Sequence, residues 1–336
     1  MTTWPTTLLH RARARARARA GAGALTVAGA AVAAVVLLPL GTAEAAAPGG
    51  PAGQIALSVD TRDGGACCRL NIATMRADGS GVRLLTHVGP DVFAQHPAWS
   101  PTNPGLAYDL RPSGPLGTTQ IWTVSKDGSG ARRLVADPFF NDLEPSWSPD
   151  GTRLLFSRCR PDFSACALYQ AAADGSHLRE LLPFRTEILN FRATFSPDGS
   201  RIAVGSRNRA GVQGAVYILR ADGSDLHRVT PPELGALDPS WTPDGRHLLI
   251  ATNCCTPAHA AISRIGVDGT GLVQLTRPGA QHDVYPSASP DGRYVAFERN
   301  NPDFTGFAVW VMRADGSDPH RVGPALSGEP AWQPTT

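Results

Sequence analysis

One phrase recurs six times along this 336-residue chain: an Asp-Gly turn with a short strand, a variable stretch, then Pro-x-Trp-Ser-Pro-Asp-Gly and another strand. The Asp-Gly turns fall at Asp78, Asp127, Asp174, Asp222, Asp268 and Asp315, spaced 49, 47, 48, 46 and 47 residues apart. The second marker keeps the same beat at Trp99, Trp147, Phe195, Trp241, Ala288 and Trp332. A fixed period in this range belongs to solenoids, propellers and arrays, and units this rich in turns and β-formers are not helical repeats.

Each unit carries four strand-like segments. In the third unit they are predicted at 145–148, 153–157, 167–171 and 178–182, with tight turns at Ser148–Gly151 and Ala173–Ser176. Proline presets φ at the first corner of such a turn, and glycine takes the positive φ that a tight antiparallel connection demands. Four-stranded antiparallel units repeated radially make a β-propeller. The repeat region opens at Gln54–Val59, which matches the second strand of other units, and closes at Glu329–Trp332, which matches the first. The expected fold is therefore all-β: a six-bladed β-propeller whose C-terminal strand joins the N-terminal blade and removes the exposed edges. The paired Pro-x-Trp-Ser-Pro-Asp-Gly and Ala-Asp-Gly-Ser motifs resemble the TolB-type, WD-like propeller repeat. That resemblance covers residues 54–336 and implies an exported bacterial protein. It departs locally at Thr102-Asn103, Ala288 and Gln333, and there is no room for the N-terminal α/β domain of TolB proper.

Residues 1–47 stand outside the repeat and read as a signal peptide, with a short linker at 48–53. Arg11, Arg13, Arg15, Arg17 and Arg19 form a basic region, 24–40 is apolar, and Ala43-Glu44-Ala45 fits a small-residue cleavage site. The alternative is an uncleaved N-terminal anchor, because a 17-residue apolar run sits at the lower limit for spanning a bilayer. Without residues 1–45, Lys+Arg falls from 31 to 26 and Asp+Glu from 29 to 28, a net charge near −2. A near-neutral body lacks the concentrated basic face that nucleic acid requires. The expected location is secreted or cell envelope, with no membrane span in the mature form, as a monomer. All six cysteines lie in or beside connections between second and third strands. Cys159 and Cys166 flank a six-residue loop and are expected to form a disulfide, whereas Cys67-Cys68 and Cys254-Cys255 are vicinal pairs of open redox state.

Short, uniform turns join strands one to two and three to four, so they share one face, and long irregular connections collect on the other, where binding usually resides. Residues just before the recurrent proline are expected to begin each innermost strand and to ring the channel mouth on that variable face. They are His96, Glu144, Arg192, Asp238, Tyr285 and Glu329, with Asp142, His282 and Asp283 as neighbours that could join them. Such a ring could hold a polar ligand or a cation, or be a solvated rim paired within itself. The turn aspartates lack the alternating acidic spacing of an EF-hand and read as turn formers. No Gly-x-Ser-x-Gly elbow and no His-Glu-x-x-His occurs. The leading expectation is an exported non-catalytic binding or scaffolding propeller for a protein, peptide or glycan, without a cofactor. The alternative is a metal-assisted lyase or hydrolase on polysaccharide, resembling the oligogalacturonate lyases, with a divalent cation held by His96, His282, Glu144 and Asp238.

Overall fold

The structure, a computed structural model, describes residues 51–62, 69–112, 117–135, 137–185, 188–208, 214–253, 259–277, 279–303 and 305–335, with backbone alone at 185, 188–191 and 208. The leader and both vicinal cysteine pairs lie outside these residues. Among the described residues every regular element is a β-strand, and no helix is long and apolar enough to cross a membrane.

The strands fall into six repeating units. First strands are Ser327–Trp332, Phe93–Trp99, Asn141–Trp147, Ile188–Phe195, Ala236–Trp241 and His282–Ala288, in unit order. Second strands are Gln54–Asp60, Gly105–Arg111, Arg153–Cys159, Arg201–Asn208, His247–Thr252 and Tyr294–Asn300. Third strands run Leu70–Arg76, Gln120–Ser125, Cys166–Ala172, Gly214–Arg220, Ala261–Gly266 and Phe307–Arg313, and a fourth strand completes each unit, only two residues long in four of them but seven, Arg179–Arg185, in the third. Units three to six are separate four-stranded antiparallel sheets. Units one and two merge into an eight-stranded sheet through one parallel bridge between Leu70 and Phe93. The chain's last strand pairs antiparallel with its first, Ile55 opposite Trp332 and Val59 opposite Ser327. The first strands also pack on one another in sequence, and Ser327–Trp332 packs on both His282–Ala288 and Phe93–Trp99.

The core lies between units. Trp99 and Tyr108 of the second unit pack on Ala56 and Ile72 of the first, and Phe195 and Ile202 of the fourth pack on Leu155 and Leu168 of the third. Three marker tryptophans also fix their indoles to backbone: Trp99 Nε1 donates to Ala331 O, Trp241 Nε1 to Thr194 O and Trp332 Nε1 to Ala52 O, at 3.0–3.1 Å. The turn aspartates act as turn formers: Asp78, Asp127, Asp174, Asp222, Asp268 and Asp315 each accept the N–H two residues on. Gly175 shows why glycine is required there: its φ is +88°, and a Cβ would sit 2.2 Å from Leu134 O of the preceding unit.

One expectation needs correcting. The residues before the recurrent proline, and Arg192, which precedes Ala193 at the equivalent place in the fourth unit, do not begin the first strand; in the third unit the strand starts at Asn141, three residues ahead of Glu144. Each of the six instead sits at a β-bulge. Gln95 faces Asp109 and Ala98 faces Ala107, so His96 and Pro97 together oppose Tyr108. The same register shift recurs in the other five units. All six residues take positive φ, from 42° at Arg192 to 56° at Glu144. Proline has no N–H for the ladder, so a strand tolerates it where the pairing is already interrupted.

Candidate functional site

The bulge explains how one repeated position becomes a ring. An extra residue in left-handed conformation re-aims its side chain out of the strict in-out alternation of the strand. The six side chains then meet across units rather than only within them. His96 of unit two lies edge-on to Tyr285 of unit six, ring centroids 6.0 Å apart, and its Nε2 lies 3.3 Å from Glu329 Oε1 and 3.9 Å from Glu144 Oε1. The Arg192 guanidinium lies over the Tyr285 ring at 4.9 Å.

A second set of bonds ties five of the six bulges to the unit before. The N–H of Glu329 donates to Glu298 Oε2 at 2.9 Å, that of His96 to Glu329 Oε2 at 2.8 Å, and that of Glu144 to Asp109 Oδ2 at 2.8 Å. The N–H of Arg192 donates to Glu144 Oε2, and that of Tyr285 to Asp238 Oδ2 at 3.4 Å. In five of the six junctions, therefore, a carboxylate of one unit accepts the N–H that the bulge of the next leaves without a ladder partner. Buried backbone donors left unmatched are costly, which gives these acids a structural task beside any recognition task.

Asp109 and Glu298 escaped the sequence reading. They occupy the second-strand position opposite the residue before each bulge, where other units carry Ser58, Ser157, Gly205 and Ala251. An acid in two copies at an otherwise small-residue position was the available signal. The expected neighbours divide differently as well. Asp142 is held bidentate by Arg158 at 2.7 and 2.9 Å, and Asp283 by Arg299 at 2.6 and 2.8 Å, so neither joins the ring. His282 accepts the Ala260 N–H on Nδ1 at 3.1 Å and meets His259 Nδ1 through Nε2 at 3.4 Å. Among the described residues no group of three or more His, Cys, Asp or Glu side chains is arranged to hold a metal ion.

The electrostatics follow from burial and pairing. Burial opposes charge on His96, but Glu329 and Asp109, the latter 2.7 Å from its Nδ1, outweigh it and raise its pKa to about 10. His96 is therefore an imidazolium at neutral pH. Burial, reinforced by the charge of Glu329, pushes Glu298 up to about 7. Burial also raises Glu144 and Asp238, against the opposing pull of His96 and Arg192. Away from the ring, Cys159 and Cys166 form a disulfide across the second and third strands of unit three.

Four-stranded antiparallel sheets repeated about a set of inward first strands, with polar residues gathered where those strands bulge, define a β-propeller repeat protein. The chain belongs to the TolB beta propeller domain family, which matches residues 129–336. An uncharacterized protein of Agrobacterium fabrum is 30% identical over 194 residues, covering 56% of this chain and 60% of that protein. The Tol-Pal system protein TolB of Anaeromyxobacter dehalogenans is 27% identical over 194 residues, covering 58% of this chain and 42% of that relative. The chain thus spans less than two thirds of either relative's length. The crystal structure of TolB from Acinetobacter baumannii is similar with a TM-score of 0.66 at 18% identity, over 84% of this chain and 67% of that one, a likeness of fold.

Proposed function

We propose that the protein is an exported, six-bladed, closed propeller that acts as a non-catalytic binding or scaffolding module, recognising a protein, peptide or glycan on its variable-loop side. Six units and a ring sealed by the chain's own ends are supported by the pairing of Gln54–Asp60 with Ser327–Trp332 and by the packing of that last strand on both neighbouring first strands. Export is supported by the Cys159–Cys166 disulfide, since such bonds persist in oxidising compartments.

The observation that carries the reading is the ring itself: six polar side chains of four chemistries on one repeated bulge, five of the six bulges fixed by the same kind of frame. A rigid scaffold with independently variable positions on one side is how recognition surfaces are built. The ring's one imidazole is committed to the frame: His96 is protonated and faces Asp109 with Nδ1 and Glu329 with Nε2, so it is not itself a general base. In the connection between the second and third units Phe139 is 74% exposed, its backbone N–H bonded to Asp137 Oδ1 at 2.9 Å, an aromatic of the kind that anchors interfaces.

Photocross-linking in the native producer tests this. A photoreactive phenylalanine analogue at position 139 is expected to give a discrete, saturable adduct, and the same analogue at position 272, beside a short turn, none. Equal adducts at both positions, or none at 139, would overturn the reading.

A further inference from the structure

The ring is unevenly engaged. On one side Glu329 is fully used: Oε2 accepts Ser58 Oγ at 2.6 Å and the His96 N–H, while Oε1 accepts Gln95 Nε2 at 3.0 Å and faces His96 Nε2. On the other side three consecutive units keep capacity. Glu144 spends Oε2 on the Arg192 N–H, and its Oε1 has only His96 at 3.9 Å, beyond hydrogen-bonding reach. Asp238 holds the Tyr285 N–H by one long bond through Oδ2. The Arg192 guanidinium stacks on Tyr285 and offsets the buried charge of Glu144 and Asp238 from beyond contact distance, with no side-chain hydrogen bond or close ion pair among the described residues, so its donor edge has room for a partner.

A fourth group points the same way. Ser157 is 1% exposed and its Oγ has no hydrogen-bond partner. It stands at the second-strand register from which Ser58, Asp109 and Glu298 bond to ring groups, in the unit whose bulge residue is Glu144. A buried hydroxyl without an acceptor is a costly arrangement that native proteins resolve with a partner.

The charge pattern selects the ligand. A lone cation entering here meets Arg192, and a lone anion meets Glu144 and Asp238. A molecule carrying both signs satisfies all three: its carboxylate takes the guanidinium edge in a bidentate pair, and its ammonium donates to Glu144 Oε1 and the free oxygen of Asp238. We propose that Glu144, Arg192, Asp238 and Tyr285 form a subsite for a small zwitterion, an ammonium and a carboxylate on one molecule, as in a free α-amino acid. The proposal rests on the ring being a recognition site and narrows what it recognises.

Isothermal titration of the intact chain at neutral pH, with each common L-α-amino acid in turn, tests it. At least one should bind saturably, and its methyl ester and its N-acetyl derivative should each bind about tenfold or more weakly, because each removes one charge-assisted contact. Arg192→Gln and Asp238→Asn should weaken binding by a similar factor. Arg192→Lys, which keeps the charge and loses the fork, should also weaken it, and circular dichroism checks that each variant folds. No binding by any amino acid up to about 10 mM overturns the proposal. So does a ligand that tolerates both caps, or one whose affinity survives both substitutions in folded protein. An adduct retained at position 139 in those cases would confine the failure to the subsite and leave the binding-module reading standing.

Discussion

Raising the pH is expected to loosen this fold through one residue, His96. Its pKa is about 10 in the folded protein against 6.5 for a free imidazole, so the folded state keeps a proton that the unfolded chain gives up between these values. The sign follows: a raised histidine contributes its full stabilisation below pH 6.5 and loses it as the pH rises toward 10. A gap of 3.5 units, each worth about 1.36 kcal/mol, sets a ceiling of about 5 kcal/mol. Glu298 acts in the same direction but earlier. Its carboxyl is raised from 4.5 to about 7, so its contribution is already lost by neutral pH. Tyr108, raised to about 12 by burial, begins to matter only above 10. Glu144 and Asp238, also raised by burial, act in the same direction as Glu298, and the window from about pH 7 to 10 contains the titration of His96. Urea-unfolding midpoints followed by tryptophan fluorescence across that window should fall steadily for the wild-type chain. His96→Asn, whose side chain tolerates the left-handed backbone, should start lower at pH 7 and change little. A wild-type midpoint as flat as that of the variant, or one that rises with pH, would refute the electrostatic account of the ring.

Two further outcomes follow from the frame. Cys159→Ser should destabilise the chain by about 2–3 kcal/mol, the loop-closure value for so short a loop, and a reductant should add nothing to the variant while bringing the wild-type chain to the same thermal midpoint. Gly316→Ala should cost several times more than Gly271→Ala in denaturant unfolding. Both glycines have positive φ, but a Cβ at 316 would sit 2.4 Å from Leu275 O of the neighbouring unit while one at 271 meets nothing within 4 Å, leaving only about 1 kcal/mol of backbone strain.

The repeat period made the strand content, the turn chemistry and the equivalence of the six bulge positions legible, because proline and Asp-Gly leave fixed marks on backbone geometry. What stayed hidden depended on register. That Glu144 lies on a bulge with φ of 56° follows from the two-against-one pairing with the second strand, which no local propensity encodes. Asp142 and Asp283 looked like ring members because they lie two residues from one. Their true partners lie directly across the sheet, Asp142 opposite Arg158 and Asp283 opposite Arg299. Each Asp–Arg pair is separated by 16 residues, so a recurring acid-to-arginine interval was present in the sequence, and its meaning required knowing where the bulge shifts the pairing.

The same bulge sets the terms on which the ring can bind anything. A non-glycine residue held in left-handed conformation costs on the order of 1–2 kcal/mol, and six such positions persist only where the surroundings over-determine them. The inter-unit carboxylates provide that determination by capturing the displaced N–H groups. Glu329, with every acceptor position occupied, serves the frame alone. Glu144 and Asp238 hold an N–H with one oxygen and keep the other available, so they can do both. Removing either acid would therefore disturb the bulge of the next unit as well as any ligand. Arg192 gives the frame its backbone N–H, and its guanidinium stacks on Tyr285 and offsets the buried charge of Glu144 and Asp238 but holds no displaced N–H, so exchanging it, best for another cation, unlatches no bulge. Substitutions at Arg192 are thus the ones able to separate recognition from folding in this ring.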